Sequence, residues 1–332
     1  YLALSVNTTA ANNTAVGSNA LIVNVANGNT AVGYNALAGN TTGTLNTAVG
    51  IEALLTATTA DSNVAVGREA LKLTTTGAGN TALGRDALQT NTTGSSNVAV
   101  GHDALDANTT GTQNVAVGTQ ALGANTTAAY NVAVGDSALL LNSTGTRNVA
   151  VGTFTLDANT DANDNTGLGY QALGANSTGD NNVAVGSYAL VTNTTASNNT
   201  AVGYSALLYN TTGASNVAVG ALAMDANTTG ATSVAVGYAA LGANTTGSDN
   251  TALGYGALSL NTTGVNNVAI GNNSLDANTT ASSNTAVGFG SLGANTTGTE
   301  NTAVGANSLD ANTTGSYNAA FGEGALTANT TA

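Results

Sequence analysis

The chain has 332 residues, seventeen acidic side chains against four basic ones, and a net charge of −13. A nucleic-acid surface needs clustered Lys and Arg, so this balance excludes nucleic acid as a partner, and an anionic membrane surface for the same reason. No apolar run approaches the length of a bilayer span, Cys and Pro are absent, and Asn, Thr, Ala, Gly and Val dominate, which excludes a thick core of long side chains.

Residues 1–12 are a partial copy of a repeated unit, and a sixteen-residue copy follows from Asn13. From Asn29 the unit settles at seventeen residues and restarts at Asn46, Asn63, Asn80, Asn97 and onward to Asn301 without slipping, with a last partial copy from Asn318. With Asn29 as position 1, the unit reads N-[TV]-A-[VLI]-G-x-x-[AS]-L-x-x-N-T-T-[GA]-x-x. Twenty coils or part-coils follow one another with no linker, so residues 1–332 are expected to form a single repeat domain. Neither Tyr1 nor Ala332 begins or closes a polar cap of the kind that protects terminal coils. The expectation is an interior section of a longer fibre, or a subunit that stacks end to end.

This period is too short for helical-hairpin repeats. Each unit carries Gly, Asn and β-branched residues that disfavour helix. Its Val, Thr and Leu fall in short runs broken by Gly and Asn. The fold class is therefore all-β, a parallel β-solenoid or β-roll of about twenty coils. At about 4.8 Å per coil such a rod is roughly 95 Å long.

Gly33, Gly50, Gly67, Gly84 and Gly101, at position 5, are assigned to turns where φ is positive or backbones approach closely. The Asn residues at positions 1 and 12 tolerate left-handed conformations and are expected to stack into amide ladders. Val at position 4 and Leu at position 9 are assigned to the core. Ala at position 3 points away from position 4, and its near-uniformity predicts a face pressed against another chain that admits only a methyl. Thin apolar content per coil argues the same way, so a homo-oligomer is expected, most simply three-fold.

The N-[TV]-A-[VLI]-G core, as in Asn97-Val98-Ala99-Val100-Gly101, resembles the head repeats of trimeric autotransporter adhesins. The longer form at Asn29 to Gly43 and Asn199 to Gly213 is similar to repeat arrays in phage tail-fibre-like and bacterial surface proteins. The resemblance implies a parallel β-roll, usually trimeric, serving outside the cell or on a virion as an adhesin or fibre shaft.

Catalysis is not expected. His102 is the only His, it sits at a variable turn position, and there is no Cys and no phosphate-loop pattern. The sharpest local feature is an acidic row at position 7, Glu52, Glu69, Asp86 and Asp103, in four consecutive coils. Like charges stacked at strand spacing repel. One reading is a cation row, Ca²⁺ being the ion that takes several carboxylate oxygens; the preferred one is neutralisation by the neighbouring Arg68, Lys72, Arg85 and His102, with no cofactor. A second acidic set, Asp106, Asp157, Asp225, Asp276 and Asp310 at position 10, reads as solvated turn acids, with Ca²⁺ binding as the minor alternative.

Position 12 also generates sixteen glycosylation sequons, at Asn7, Asn40, Asn91, Asn108, Asn125, Asn142, Asn176, Asn193, Asn210, Asn227, Asn244, Asn261, Asn278, Asn295, Asn312 and Asn329. A turn-forming Asn followed by Thr-Thr makes such sequons unavoidable, and the structural reading is preferred. The Thr columns at positions 13 and 14 raise an ice-binding face, weakened because adjacent strand residues point oppositely. Aromatics at position 6 (Tyr1, Tyr34, Tyr170, Tyr204, Tyr238, Tyr255 and Phe289) suit either partner or glycan contact, or packing over neighbouring turns. The function expected is an inert extracellular fibre or filament shaft on a cell or virus surface; the alternative is an adhesin whose surface binds a host surface, matrix or glycan.

Overall fold

The computed structural model describes residues 2–331, which contain nineteen three-residue strands and no α-helix. The chain divides into two compact units, one ending at Asp164 and one beginning at Asn165. The first holds β1 (Thr14–Val16) to β9 (Val149–Val151), and the second β10 (Thr166–Leu168) to β19 (Ala319–Phe321). Both are parallel β-solenoids. Within the first, Thr30, Ala31 and Val32 pair in register with Thr47, Ala48 and Val49. Within the second, Val183, Ala184 and Val185 pair with Thr200, Ala201 and Val202. The step is one seventeen-residue unit, except that Thr14 pairs with Thr30 across the short first copy.

The orientation of the strand is the reverse of the sequence expectation. Ala31, Ala48, Ala116 and Ala201, at position 3, are fully buried inside the single chain. Positions 2 and 4 flank them on the outer face, partly or largely exposed. Ala is thus the inward residue, and Val at position 4 is not core. The reason is the narrowness of the coil. The buried Ser291 hydroxyl at position 8 donates to the Ala303 carbonyl at position 3 of the next coil at 3.0 Å. With opposite walls this close, position 3 admits a methyl and little else. The core consists of Ala at positions 3 and 8, Leu at position 9 and the two Asn columns, as in Ala99, Ala104, Leu105, Asn97 and Asn108.

The assignment of Gly33 to a turn is met: its φ is 144°, and a Cβ there would lie 2.3 Å from the Gly50 carbonyl oxygen. The left-handed residues are otherwise not the Asn at positions 1 and 12. They recur at positions 7, 9 and 17, as in Asp103 (φ 54°), Leu105 (φ 55°) and Gln113 (φ 57°). A left-handed Leu is unusual because its Cβ crowds the backbone, at a cost of about 1–2 kcal/mol. Complete burial of a Leu side chain contributes about 1.5–3 kcal/mol, so the buried Leu105 is held in that conformation by packing.

Both amide ladders form. Asn97 donates its backbone N–H to Asn80 Oδ1 at 2.9 Å, and its Nδ2 to the Gly111 carbonyl at 2.9 Å. Asn108 donates its Nδ2 to Asn91 Oδ1 at 2.9 Å and to the same Gly111 carbonyl at 3.1 Å. The position-15 carbonyl is thus held by two buried amides, one from each column. The arrangement repeats in the second unit, where the Gly230 carbonyl accepts from Asn216 and Asn227 at 2.8 and 2.9 Å. The position-12 ladder is interrupted at Ala57 and Thr74, where no Asn is present. There the buried Asn40 Oδ1 lacks a donor, and Asn91 donates to Thr74 Oγ1 at 3.3 Å instead.

Candidate functional site

Charge is unevenly placed. All four Lys and Arg residues and His102 lie in the first unit, and the second has none. The acidic row occupies position 7, whose left-handed backbone suits short polar side chains: Glu52, Glu69, Asp86 and Asp103 have φ of 57°, 58°, 59° and 54°. Lys72 at position 10 reaches two rungs, with Nζ 2.8 Å from Glu52 and 3.1 Å from Glu69. Gln89 occupies the equivalent place one coil on and donates to Glu69 at 2.8 Å and to Asp86 at 3.1 Å. Arg68 pairs with Glu69, Arg85 with Asp86 at 3.2 Å, and His102 with Asp103 at 3.3 Å. Hydrogen bonds from Arg68 and then Lys72 hold the Glu69 carboxyl below its usual range. Hydrogen bonds that Lys72 donates to Glu52 and then to Glu69 raise its ammonium above the usual range. Each carboxylate in the row has a basic partner, the arrangement preferred from the sequence. The bridging role of Gln89 depends on position 10 lying over position 7 of the same and the preceding coil, which the repeat pattern alone does not reveal.

Asp86, His102 and Asp103 offer one ligand atom each within 4.8 Å of one another. Arg85 lies against His102 Nε2 and pairs with Asp86. A metal ion there would have to displace this guanidinium.

The position-10 acids are not solvated turn acids. Asp157, Asp225 and Asp276 are half-buried, and burial raises their carboxyls above the usual range against the opposing pull of their own and the next backbone N–H. Burial also raises Asp106, with a smaller contribution from the nearby Asp103 charge. These side chains lean over position 10 of the following coil, which is Gly. A Cβ at Gly242 would sit 3.4 Å from Asp225 Oδ1, and one at Gly293 3.5 Å from Asp276 Oδ1. In Asp310 one carboxylate oxygen is buried without a hydrogen-bond partner.

The sequons are mostly inaccessible in the fold. Fourteen of the sixteen Asn residues, from Asn40 to Asn312, are completely buried, and ladder Nδ2 atoms such as those of Asn108 and Asn227 already donate two hydrogen bonds. A glycan on such a nitrogen would remove the rung. Asn7 and Asn329 are partly exposed. In the Thr columns, position 13 spends its hydroxyl on the next coil, as in Thr92 to the Thr109 carbonyl and Thr228 to the Thr245 carbonyl, both at 2.9 Å. The protons of those hydroxyls are thus donated to protein.

Two surfaces remain open. The first is the outer strand face. Position 4 is Val, Leu, Ile or Phe in every strand, and position 2 is Thr, Val or Ala. No charged residue stands in either column, and Leu83, Leu168 and Leu253 are 46–49% exposed. The second is the row of aromatics just beyond this face in the second unit. No family model and no curated protein matches the chain. No helix among the described residues is long and apolar enough to cross a membrane.

Proposed function

We propose that the chain is a structural fibre segment, non-catalytic, that associates side by side with copies of itself on the outside of a cell or virion. The observation carrying this reading is the uncharged outer strand face. In a chain of net charge −13, the two columns at positions 2 and 4 form the strip along which identical chains approach without like-charge repulsion. Their Val and Leu side chains are partly to largely exposed in the single chain, and exposed contiguous apolar surface marks an interaction site. The interface thus lies on the Val face, and Ala at position 3 belongs to each chain's own core. A three-fold assembly and an extracellular location rest on the resemblance to adhesin-head and tail-fibre arrays.

Light scattering on the chain in solution tests this. A discrete multiple of 31.9 kDa is expected; a mass of 31.9 kDa at micromolar concentration would remove the reading. A second reading, an adhesive rod, is favoured by the exposed aromatics of the second unit.

A further inference from the structure

From Tyr170 to Phe289 the second unit carries an aromatic ring at position 6 or 7 of each coil except two, where Ala221 with Leu222 and Asn272 with Asn273 stand instead. Tyr170, Tyr188 and Tyr204 stand on three consecutive coils, with ring centroids 5.4 and 6.2 Å apart and Tyr188 edge-on to both neighbours. Tyr238 and Tyr255 are stacked at 5.5 Å with their planes 11° apart. Phe289 continues the row two coils further on. Tyr204, Tyr255 and Phe289 are 57–59% exposed, so contact with the coil covers less than half of each.

Three features define what such a row can hold. It is uncharged: from Tyr170 to Asn307 neither position 6 nor position 7 bears an acid or a base. Phosphorylated, sulfated and uronic-acid ligands need cationic partners, and this unit has no Lys or Arg at all. The rings are interleaved with carboxamides. Asn272 Oδ1 accepts the Tyr255 N–H at 3.2 Å, and the Asn273 and Asn307 side chains lie over Gly256 and Gly290, where a Cβ would come within 2.8 Å of each Oδ1. Finally, the spacing is periodic: coils recur at about 4.8 Å, so ring positions advance in steps close to one sugar residue of an extended chain.

We infer that this row is a binding strip for an extended, neutral, β-linked polysaccharide. Pyranose rings present an apolar C–H face and a rim of hydroxyls. The Tyr and Phe rings match the first and the carboxamides of Asn272, Asn273 and Asn307 the second. Ring-to-ring contact holds Tyr188 and the Tyr238–Tyr255 pair before any ligand arrives, which lowers the entropy cost of ordering them. The inference deepens the adhesive reading and leaves the fibre reading independent, since the strip lies outside positions 2 and 4.

The test uses the full chain and a triple variant, Tyr204→Ala, Tyr238→Ala and Tyr255→Ala, checked for unchanged circular dichroism and solution mass. Retention is measured on microcrystalline cellulose and on chitin, with heparin-agarose as the anionic control. Wild type is expected on at least one neutral polysaccharide, with elution by the matching soluble oligosaccharide. The variant should lose at least tenfold in apparent affinity, and heparin should retain neither. Absence of retention on both neutral matrices, equal retention of the variant, or preferential binding to heparin would overturn the inference. A folded variant with reduced solution mass would assign the strip to contact between copies instead, and equally overturn it. The single variant Tyr255→Phe, which keeps the ring, is expected to retain wild-type binding within about twofold.

Discussion

Asn108 Nδ2 donates to Asn91 Oδ1 across one coil step at 2.9 Å, with both side chains completely buried. A buried amide is costly to leave unpaired, so this contact fixes both the register of the coils and the identity of position 12.

The break in that ladder makes the energetics measurable in both directions. Asn108→Ala leaves buried partners unsatisfied and is expected to destabilise by about 1–3 kcal/mol. Ala57→Asn supplies the donor that the buried Asn40 Oδ1 lacks and is expected to stabilise by about 0.5–1.5 kcal/mol. Thermal and urea unfolding monitored by circular dichroism would check both; a destabilised Ala57→Asn would contradict the ladder account.

The inward placement of Ala and outward placement of Val predict an inverted size preference along one strand. Ala116→Val overpacks a fully buried position and should cost about 1–3 kcal/mol. The adjacent Val117→Ala trims an outer, partly exposed side chain and should cost less in the isolated fold. Equal or reversed costs would return Val to the core.

The half-buried acids give the protein an unusual pH response. Folding raises the carboxyls of Asp106, Asp157, Asp225 and Asp276, so the folded state holds those protons more tightly than the unfolded chain. Their stabilising contribution is complete below the ordinary Asp value of about 3.9 and falls as pH rises through the raised folded values. Glu69 and Asp164, lowered by Arg68 and Arg147, act in the opposite sense and lose their contribution as pH falls; both are exposed pairs and weak. Melting temperature is therefore expected to rise as pH is lowered from neutral toward the ordinary Asp value of about 3.9, and Asp225→Asn should reduce that rise. A melting temperature that falls on acidification through this range would contradict the burial argument.

Lys72 is the only residue that bridges two rungs of the acidic row by ion pairs among the described residues. Lys72→Gln leaves Glu52 and Glu69 one coil apart without it. The expected loss is about 0.5–1 kcal/mol. It should shrink as salt is raised, because screening reduces the repulsion. A salt-independent loss would point to packing of the Lys stem instead.

Much of the fold was legible in the residues themselves. The seventeen-residue register, the Gly33 turn, the buried Leu37 and the Asn29 and Asn40 ladders follow from which residue types recur and from what backbone and amide chemistry require. Which side of the strand faces inward was not legible. Alternation places Ala31 and Val32 on opposite faces but does not say which is inside, and hydropathy favours Val; coil width decides, and only the closed coil reveals it. Left-handed Leu37 was hidden because that conformation reads as Gly or Asn. The half-burial of Asp225 was hidden because it depends on Gly242, one coil away. The ion pairing of the acidic row is suggested in the sequence because Arg68, Lys72 and Arg85 stand in the same coils as Glu52, Glu69 and Asp86.

The most direct test of side-by-side association through the outer strand face is disulfide trapping, since the chain has no native Cys. Two Cys residues link only when their Cα atoms come within about 7 Å. Val217→Cys and Val219→Cys, at positions 2 and 4 of one coil, are oxidised separately and mixed, beside Thr229→Cys at exposed position 14. The account predicts intermolecular links from the strand-face variants, lost when Leu253→Glu is added to the same face, and none from Thr229→Cys. Linking through position 229 alone, or no linking from positions 217 and 219 in any combination, would contradict it.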